Sequence, residues 1–404
     1  MSNIYQIIES LRETSSRNEK KYILLKHKNN DLLKRYLYLT YNQYICSKIK
    51  TIEYDYLNDQ EGDKDIVDVF DEFESMYKSG SLTKDYIYDL LNECNFETRE
   101  LLIDCVMKNI RAGVKEKTLL ECFGNDFIPV FAIQLANTYD KSKRYNVDHW
   151  YYSAKLNGLR CVFKNNLYTR KGHPINGFEH LESICQDICT KYDLEFIDGE
   201  LYSDKIPFEM IQSYVMGLKK IAPIHKQQIK YCLFSCHNKN IKNTAEMINI
   251  LHSINDDLSS NPYILILNQE KIQNDPNIIE EKTKELTNQN FEGIVLRHPI
   301  VHYSFNRDDY LLKYKLFREH EFKIIGFLPG KGKYEDTLGA ILIEGIIDNK
   351  KITCKVGSGF TDDLRNEIWL NQDVYLNKEI TVKYQELTMH DNSLRNPVII
   401  KIDR

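Results

Sequence analysis

KLNGLR, residues 155–160, is the stretch on which the reading of this chain turns. Four more short signatures follow it in order: FIDGELY (196–202), YCLF (231–234), FEGIVLR (291–297) and LLKYK (311–315). Any one alone says little. Together they supply a lysine nucleophile, two carboxylates, an aromatic platform and two further cations, the set needed to attach a nucleotide to a lysine and hand it on.

Lys155 is the candidate nucleophile. A protonated lysine cannot attack, but neighbouring cations and desolvation can expose the lone pair. Lys313 and Lys315 suit that role, because residues two apart in a strand share a face. Gly158 lets backbone approach a nucleotide. The planar fork of Arg160 suits phosphate or carboxylate. Glu200 could accept from a ribose hydroxyl, and Glu292 could hold a divalent ion such as Mg²⁺. Phe234 could lie flat on a purine. Each residue alone has a plainer reading: a surface charge for the lysine, a salt-bridged edge residue for either glutamate, core packing for the phenylalanine. The ordered set is what favours the chemistry.

The 404 residues suggest two or three domains. No apolar run approaches the roughly 20 residues of a membrane span, and the N-terminus lacks a secretory pattern. Ten cysteines then read as reduced thiols of an intracellular protein with no membrane association. Cys185/Cys189 and Cys232/Cys236 have zinc-compatible spacing, but no matching pair follows at finger distance. The net charge of −5 hides an uneven distribution. Residues 1–50 hold ten Lys/Arg against four Asp/Glu, while residues 53–74 hold ten acids and only Lys64.

Residues 1–130 read as helical, from Ile4, Ile7, Ile8 and Leu11, then Leu32, Leu33, Tyr36, Leu37 and Tyr41, then Leu101, Leu102, Cys105 and Val106. The segment 78–81 is a break, and the polar segment 137–146 marks a linker. From about 147, CVF, EFIDGELY, YCLF and EGIVL read as strands of a mixed α+β domain. The last 85 or so residues read as five strands (EFKIIGFL, GAILIEGII, KITCKVG, EITVKYQEL and PVIIKI) with one helix, 362–370, a pattern suggesting a small barrel of OB type.

These signatures resemble those of the covalent nucleotidyltransferases: ATP-dependent DNA ligases, RNA ligases and mRNA-capping guanylyltransferases. KLNGLR is similar to the family's KxDGxR. The resemblance implies Lys155 as the adenylated residue, Arg160 near the phosphates and, from TRKG (169–172), Arg170 at a nick 5′-phosphate. It implies Glu200 at the ribose and near the metal, Phe234 on the base, Glu292 at the metal, and Lys313 and Lys315 on phosphate. LRNPVIIKIDR resembles the C-terminal signature that orients pyrophosphate, with Arg395, Lys401 and Arg404 as its basic groups. The segments 24–42 and 112–140 resemble the helical domain of T-even phage DNA ligases and related viral and cellular enzymes.

The expected architecture is therefore an N-terminal all-α DNA-binding domain (1–130), an α+β nucleotidyltransferase (adenylation) domain (131–317) and a C-terminal OB-fold β-barrel (318–404). The expected activity is ATP-dependent sealing of nicked duplex DNA by a monomer with Mg²⁺, or Mn²⁺ in its place, in replication, repair or recombination. The basic first 50 residues become an expected phosphate-backbone footprint. Three residues depart from the family pattern: Asn157 for Asp, Ser153 for the Glu or Gln that reads the adenine amino group, and Ser235 for Asp. An RNA ligase, an RNA-capping enzyme and a non-catalytic nick-binding scaffold are the competing readings.

Overall fold

The computed structural model describes residues 3–402 except 48, 59, 332–333, 386 and 388–392. The chain forms two compact units: residues 1–131 with 171–173, and residues 132–170 with 174–404.

The first unit is built of α1 (Ile4–Glu13), α2 (Arg17–Lys26), α3 (Asp31–Tyr41), α4 (Ile66–Ser79), α5 (Lys84–Glu93), α6 (Phe96–Val106) and α7 (Glu116–Phe123). Side-chain oxygens of Asn3, Ser16, Asn30, Asp65, Thr83 and Asn95 cap the first six of these helices and satisfy N–H groups the helix leaves open. Gly80 ends α4 in the left-handed conformation (φ 72°), as the break at 78–81 suggests. The helical spacing of apolar residues turns Ile4, Ile7, Ile8, Leu11, Leu33, Tyr36 and Leu37 into one core, whereas Leu32 and Tyr41 are only half-buried.

The basic opening segment is more self-contained than its composition suggests. Arg12 pairs with Glu9 and Asp104, Arg17 and Lys21 with Glu121, Lys34 with Asp31, and Arg35 with Asp71 and Glu74. Lys20 is buried. The acidic stretch 53–74 thus supplies carboxylates to the basic one. Lys26, Lys28 and Lys50 are exposed and have no ion pair among the described residues.

In the second unit the first sheet runs β1 (Leu135–Thr138), β10 (Arg307–Tyr314), β9 (Gly293–Arg297), β2 (His149–Lys155), β8 (Glu270–Gln273). The second runs β4 (Asn166–Thr169), β3 (Leu159–Lys164), β5 (Phe196–Tyr202), β6 (Lys230–His237), β7 (Ile264–Ile266). Helices α8 (Glu179–Lys191), α9 (Phe208–Val215), α10 (Pro223–Gln228), α11 (Thr244–Asp257) and α12 (Pro276–Asn288) complete this part. The linker expected over 137–146 begins too early, because Asn137 and Thr138 lie in β1, parallel to β10. A four-residue edge strand whose partner lies some 170 residues away leaves no periodic trace in sequence.

The third sheet runs β13 (Lys350–Val356), β12 (Leu338–Ile347), β11 (Arg318–Pro329), β14 (Glu379–Tyr384), β15 (Val398–Ile402). A bridge between Ser358 and Val398 joins its two edges, so the sheet closes on itself around Phe322, Ile341, Ile343, Ile352 and Val382. Helix α13 (Asp362–Leu370) falls where the sequence places one, followed by the single turn α14 (Gln372–Tyr375). No helix of the described residues is long and apolar enough to cross a membrane.

An aromatic cluster joins the first two sheets. His237 on β6 stacks on Phe196 and on His302, and its Nδ1 lies 3.0 Å from His302 Nε2. One ring must donate and the other accept, so the pair cannot be doubly protonated intact. Burial holds both rings below the usual histidine range, His302 at about 4. A folded-state value depressed below the unfolded ~6.5 means stability present above pH ~6.5 and lost as the pH falls toward 4. Thermal melts are expected to drop across that window, with His302→Phe flattening much of the slope. A melting temperature unchanged between pH 7 and 5 would refute this account.

Candidate active site

One face of the first sheet makes the floor of a pocket. Ser153 and Lys155 come from β2, Val295 and Arg297 from β9, Leu311 and Lys313 from β10. The register sets Ser153 beside Val295, Val295 beside Lys313 and Arg297 beside Leu311, and the two-residue period turns all six side chains the same way. Ala136 adds to the floor, while Arg160, Glu200, Phe234 and Leu267 close the pocket from the second sheet.

Lys155 ends β2, and its Nζ lies 2.7 Å from Glu292 Oε2. Lys315 Nζ reaches the same oxygen at 2.5 Å, and Arg395 of the barrel stands 3.9 Å from the other. The Glu292 N–H donates to the Lys155 carbonyl at 2.9 Å, which fixes the carboxylate beside the amine. Gly293 makes this crossing possible: its φ is +147°, and a Cβ there would sit 2.3 Å from the Tyr314 carbonyl oxygen. Burial pushes the Glu292 carboxyl up, but Lys155 and Lys315 more than offset it, so it stays below the usual carboxylate range.

Lys313 has no such partner among the described residues. Burial lowers it, and Arg307, Lys155, Lys315 and Arg170 all act in the same direction. Arg170 is likewise pushed down by burial, Arg307 and Arg160. Cations brought together without a matching anion make a site for phosphate. They also cost folding energy. Lys313→Met is therefore expected to raise the thermal stability slightly, by about 0.5–1 kcal/mol, while abolishing activity. A less stable Lys313→Met protein would show that the repulsion is already screened.

Of the two partners its fork suits, Arg160 takes a carboxylate. Its guanidinium makes two bonds of 2.5 Å to Asp198, which is fully buried. The Tyr303 hydroxyl donates to the same carboxylate at 2.7 Å. Arg160 also lies 4.6 Å from the centroid of Phe234. Committed to Asp198 and stacked on one face of Phe234, it positions the aromatic platform rather than waiting as a free phosphate ligand. Gly158 is likewise required by the protein itself: a Cβ there would lie 2.5 Å from the Leu201 carbonyl oxygen.

Arg297, 3% exposed, spans the back of the pocket, donating to Gln134 Oε1 and the His302 carbonyl, each at 2.8 Å. Burial lowers it to about 10. Burial raises the Glu200 carboxyl, which Lys155 and Arg160 oppose and Glu292 reinforces. Two carboxylates that sense each other beside a lysine and unpaired cations fit Mg²⁺, which takes one or two carboxylates and completes its shell with waters and substrate phosphates. Among the described residues no group of three or more His, Cys, Asp or Glu could hold a metal, and the four cysteines with zinc-like spacing are buried free thiols.

The three departures have distinct surroundings. Asn157 Oδ1 accepts from Arg395 Nη1 at 3.1 Å. Ser153 is a buried part of the floor. Ser235 points into the core, its Oγ 3.2 Å from Met247 Sδ. Arg395 also lies over Phe208, 5.1 Å from its centroid. Lys401 is on β15, and Arg404 lies outside the described residues.

Sequence reasoning passed over Asp198, Tyr303, Arg307 and Gln385. Arg307 lies six residues before Lys313 on β10, but the pairing with β1 is irregular between Asp308 and Leu312, so strand alternation does not carry from one to the other. Asp198 stands two before Glu200 on β5, where the pairing with β3 is regular, and could have been found from it. Tyr303 and Gln385 carry no local signal.

Comparison with known proteins gives the following. Residues 329–402 match the family described as the DNA ligase OB-like domain. A DNA ligase of Haemophilus influenzae is 26% identical over 278 residues, spanning 67% of this chain and 93% of that protein. A solved structure described as Pmar-Lig_PreS3 superimposes over all of this chain and 99% of its own, with a TM-score of 0.84 at 20% identity. A structure from a study of Lig E DNA ligases covers 68% of this chain and all of its own, with a TM-score of 0.54 at 24% identity. The last two speak to the fold alone.

Proposed function

We propose that this chain is an ATP-dependent DNA ligase that seals 5′-phosphate/3′-hydroxyl nicks through a lysyl-AMP intermediate. The observation that carries the reading is Lys155 held against Glu292 at the mouth of an aromatic-lined pocket, with Lys313 free beside it. An amine, an adjacent carboxylate and unpaired cations are what transfer of a nucleotidyl group to lysine requires.

In the first step the adenine lies against the open face of Phe234, backed by Arg160. Lys155 leaves Glu292, loses its proton and attacks the α-phosphorus, and pyrophosphate departs. Lys313 and Lys315 stabilise the negative charge that develops on the phosphoryl oxygens. Glu292 and Glu200 would hold Mg²⁺, which when bound supplies charge neutralisation at the phosphate. In the second step AMP passes from Lys155 to the nick 5′-phosphate, which Arg170 and Arg307 receive. In the third, the 3′-hydroxyl displaces AMP and closes the strand.

We assign residues 1–130 to DNA binding, 131–317 to nucleotidyl transfer and 318–404 to the barrel, with nicked duplex as substrate and a monomer as the working form. Within the first 50 residues, Lys26, Lys28 and Lys50 are exposed cations without an ion pair among the described residues, available to track the phosphate backbone.

The test is to strip the protein with pyrophosphate, then incubate it with Mg²⁺ and α-labelled ATP or GTP. Label from ATP on the denatured chain, followed by sealing of nicked DNA in preference to nicked RNA, supports the reading. A GMP adduct would place the chain with capping enzymes. No adduct from either nucleotide would leave a non-catalytic DNA-binding protein.

A further inference from the structure

The chain leaves β4 at Thr169, turns at 170–173 and comes back, with the Ile175 N–H donating to the Leu167 carbonyl at 2.8 Å and Tyr168 bridged to Pro174. The base of this hairpin belongs to the second sheet. Its tip does not: residues 171–173 pack as part of the first compact unit, although the chain on either side of them belongs to the second. Gly172, at the tip, is buried and has a φ of +81°. A Cβ there would lie 2.6 Å from Cβ of Phe131 and would strike the Tyr44 hydroxyl. The tip therefore needs glycine twice over, for its backbone conformation and for the slot it enters. The Tyr44 ring also meets His173 edge-on, with centroids 6.0 Å apart.

Tyr44 is itself held in place. α3 ends at Tyr41, and the buried Asn42 takes the Tyr44 N–H on its side-chain oxygen at 3.0 Å. The Asn42 carbonyl accepts from the Ile45 N–H at 3.2 Å and from Lys108 Nζ at 3.0 Å. An asparagine turn of this kind fixes the direction in which the next side chains leave. Tyr44 is 44% exposed, so it adds little to the core of its unit; what it does is close the slot on Gly172. Arg170 begins the turn that this slot grips, two residues before the glycine. It stands close enough to Arg160 and Arg307 to feel their charges, and Lys313 feels its own.

We propose that Tyr44 is a positioning residue for AMP transfer to DNA: by pinning Gly172 it fixes Arg170 where the nick 5′-phosphate must sit. The proposal rests on the ligase reading above and adds a residue of the helical unit to its second step. In that step an oxygen of the nick 5′-phosphate bonds to the α-phosphorus as the bond from that phosphorus to the Lys155 nitrogen breaks. The nitrogen takes a proton from solvent and the lysine is regenerated. A guanidinium ordered in advance spares the reaction the cost of ordering it on the substrate. Attack on ATP assigns its phosphoryl charge to Lys313 and Lys315, so the contribution of Tyr44 is confined to the transfer onto DNA.

The test follows AMP from the adenylated full-length protein to a nicked duplex in a single turnover, for wild type, Tyr44→Ala, Tyr44→Phe, Arg170→Ala and the double variant Tyr44→Ala/Arg170→Ala. Tyr44→Ala is expected to slow the transfer about tenfold, while AMP-adduct formation from ATP and affinity for intact duplex stay within about twofold of wild type. Tyr44→Phe keeps a ring in the slot and should recover most of the loss. In the Arg170→Ala background the tyrosine change should cost nothing more, because no arginine is left to place. A full transfer rate in Tyr44→Ala, or an equal loss in adduct formation or duplex affinity, would overturn the proposal. So would the same tenfold loss on top of Arg170→Ala, which would put Tyr44 on the DNA itself. Failure of the underlying reading looks different: a wild-type protein that forms no AMP adduct removes the reaction, and Arg170→Ala at the wild-type transfer rate removes the residue that Tyr44 is said to place.

Discussion

Lys155→Ala is expected to eliminate the AMP adduct and, with it, sealing that starts from ATP, by a factor on the order of a thousand or more. The expectation follows from position as much as from chemistry. Lys155 is the lysine at the end of β2, on the pocket floor and 2.7 Å from Glu292. Lys313 and Lys315 come from a neighbouring strand, and Lys315 is itself bound to Glu292. The variant should fold, because Glu292 keeps Lys315 as a partner and is not left as an unpaired buried charge. It should also still close a nick that already carries a 5′-adenylate, since that step needs the cations and not the amine. Labelled ATP and a pre-adenylated nick, assayed side by side, separate the two. An adduct that survives in Lys155→Ala would show that another residue carries the nucleotide.

The order of the five signatures made the pocket legible because each lies in or directly beside a strand, KLNGLR forming the turn from β2 to β3, and strand periodicity says which of the strand residues share a face. Lys155, Glu200, Phe234 and Lys313 line one pocket, and Glu292 and Lys315 stand at its mouth. Other features were not readable, for physical reasons. Whether Arg160 reaches a phosphate or a protein carboxylate depends on the register of β3 against β5, which sets Glu200 opposite Arg160 and Asp198, opposite Val162, as its diagonal neighbour, and cross-strand register is not written in either strand alone. That the basic opening segment satisfies much of its own charge depends on how helices pack: Arg35 of α3 meets Asp71 and Glu74 of α4. The short strand β1 was taken for linker because its hydrogen bonds, rather than its composition, make it a strand. The helix 362–370 and the five barrel strands were legible because alternation there is clean and turns are polar.

The largest effect on stability should come from Asp198. It is fully buried and accepts two bonds from Arg160 and one from Tyr303. Burial disfavours the Arg160 charge, and Asp198 reverses this, so the guanidinium is held above its usual value. Removing the carboxylate strands a cation in low dielectric, and Asp198→Ala is expected to cost about 3–5 kcal/mol. Asp198→Asn keeps the shape and some hydrogen bonding, and should cost less, about 1–3 kcal/mol. Activity should fall in both, because Arg160 is the backing of Phe234. Adding Arg160→Met to Asp198→Ala should recover much of the stability by removing the stranded charge, yet leave adenylation impaired, because the platform then lacks its cation. Chemical denaturation of the three variants decides the matter. If Asp198→Ala melts like wild type, the pair is not holding the two strands together. If the double variant regains activity as well as stability, Arg160 is dispensable to the base platform and its place over Phe234 is incidental.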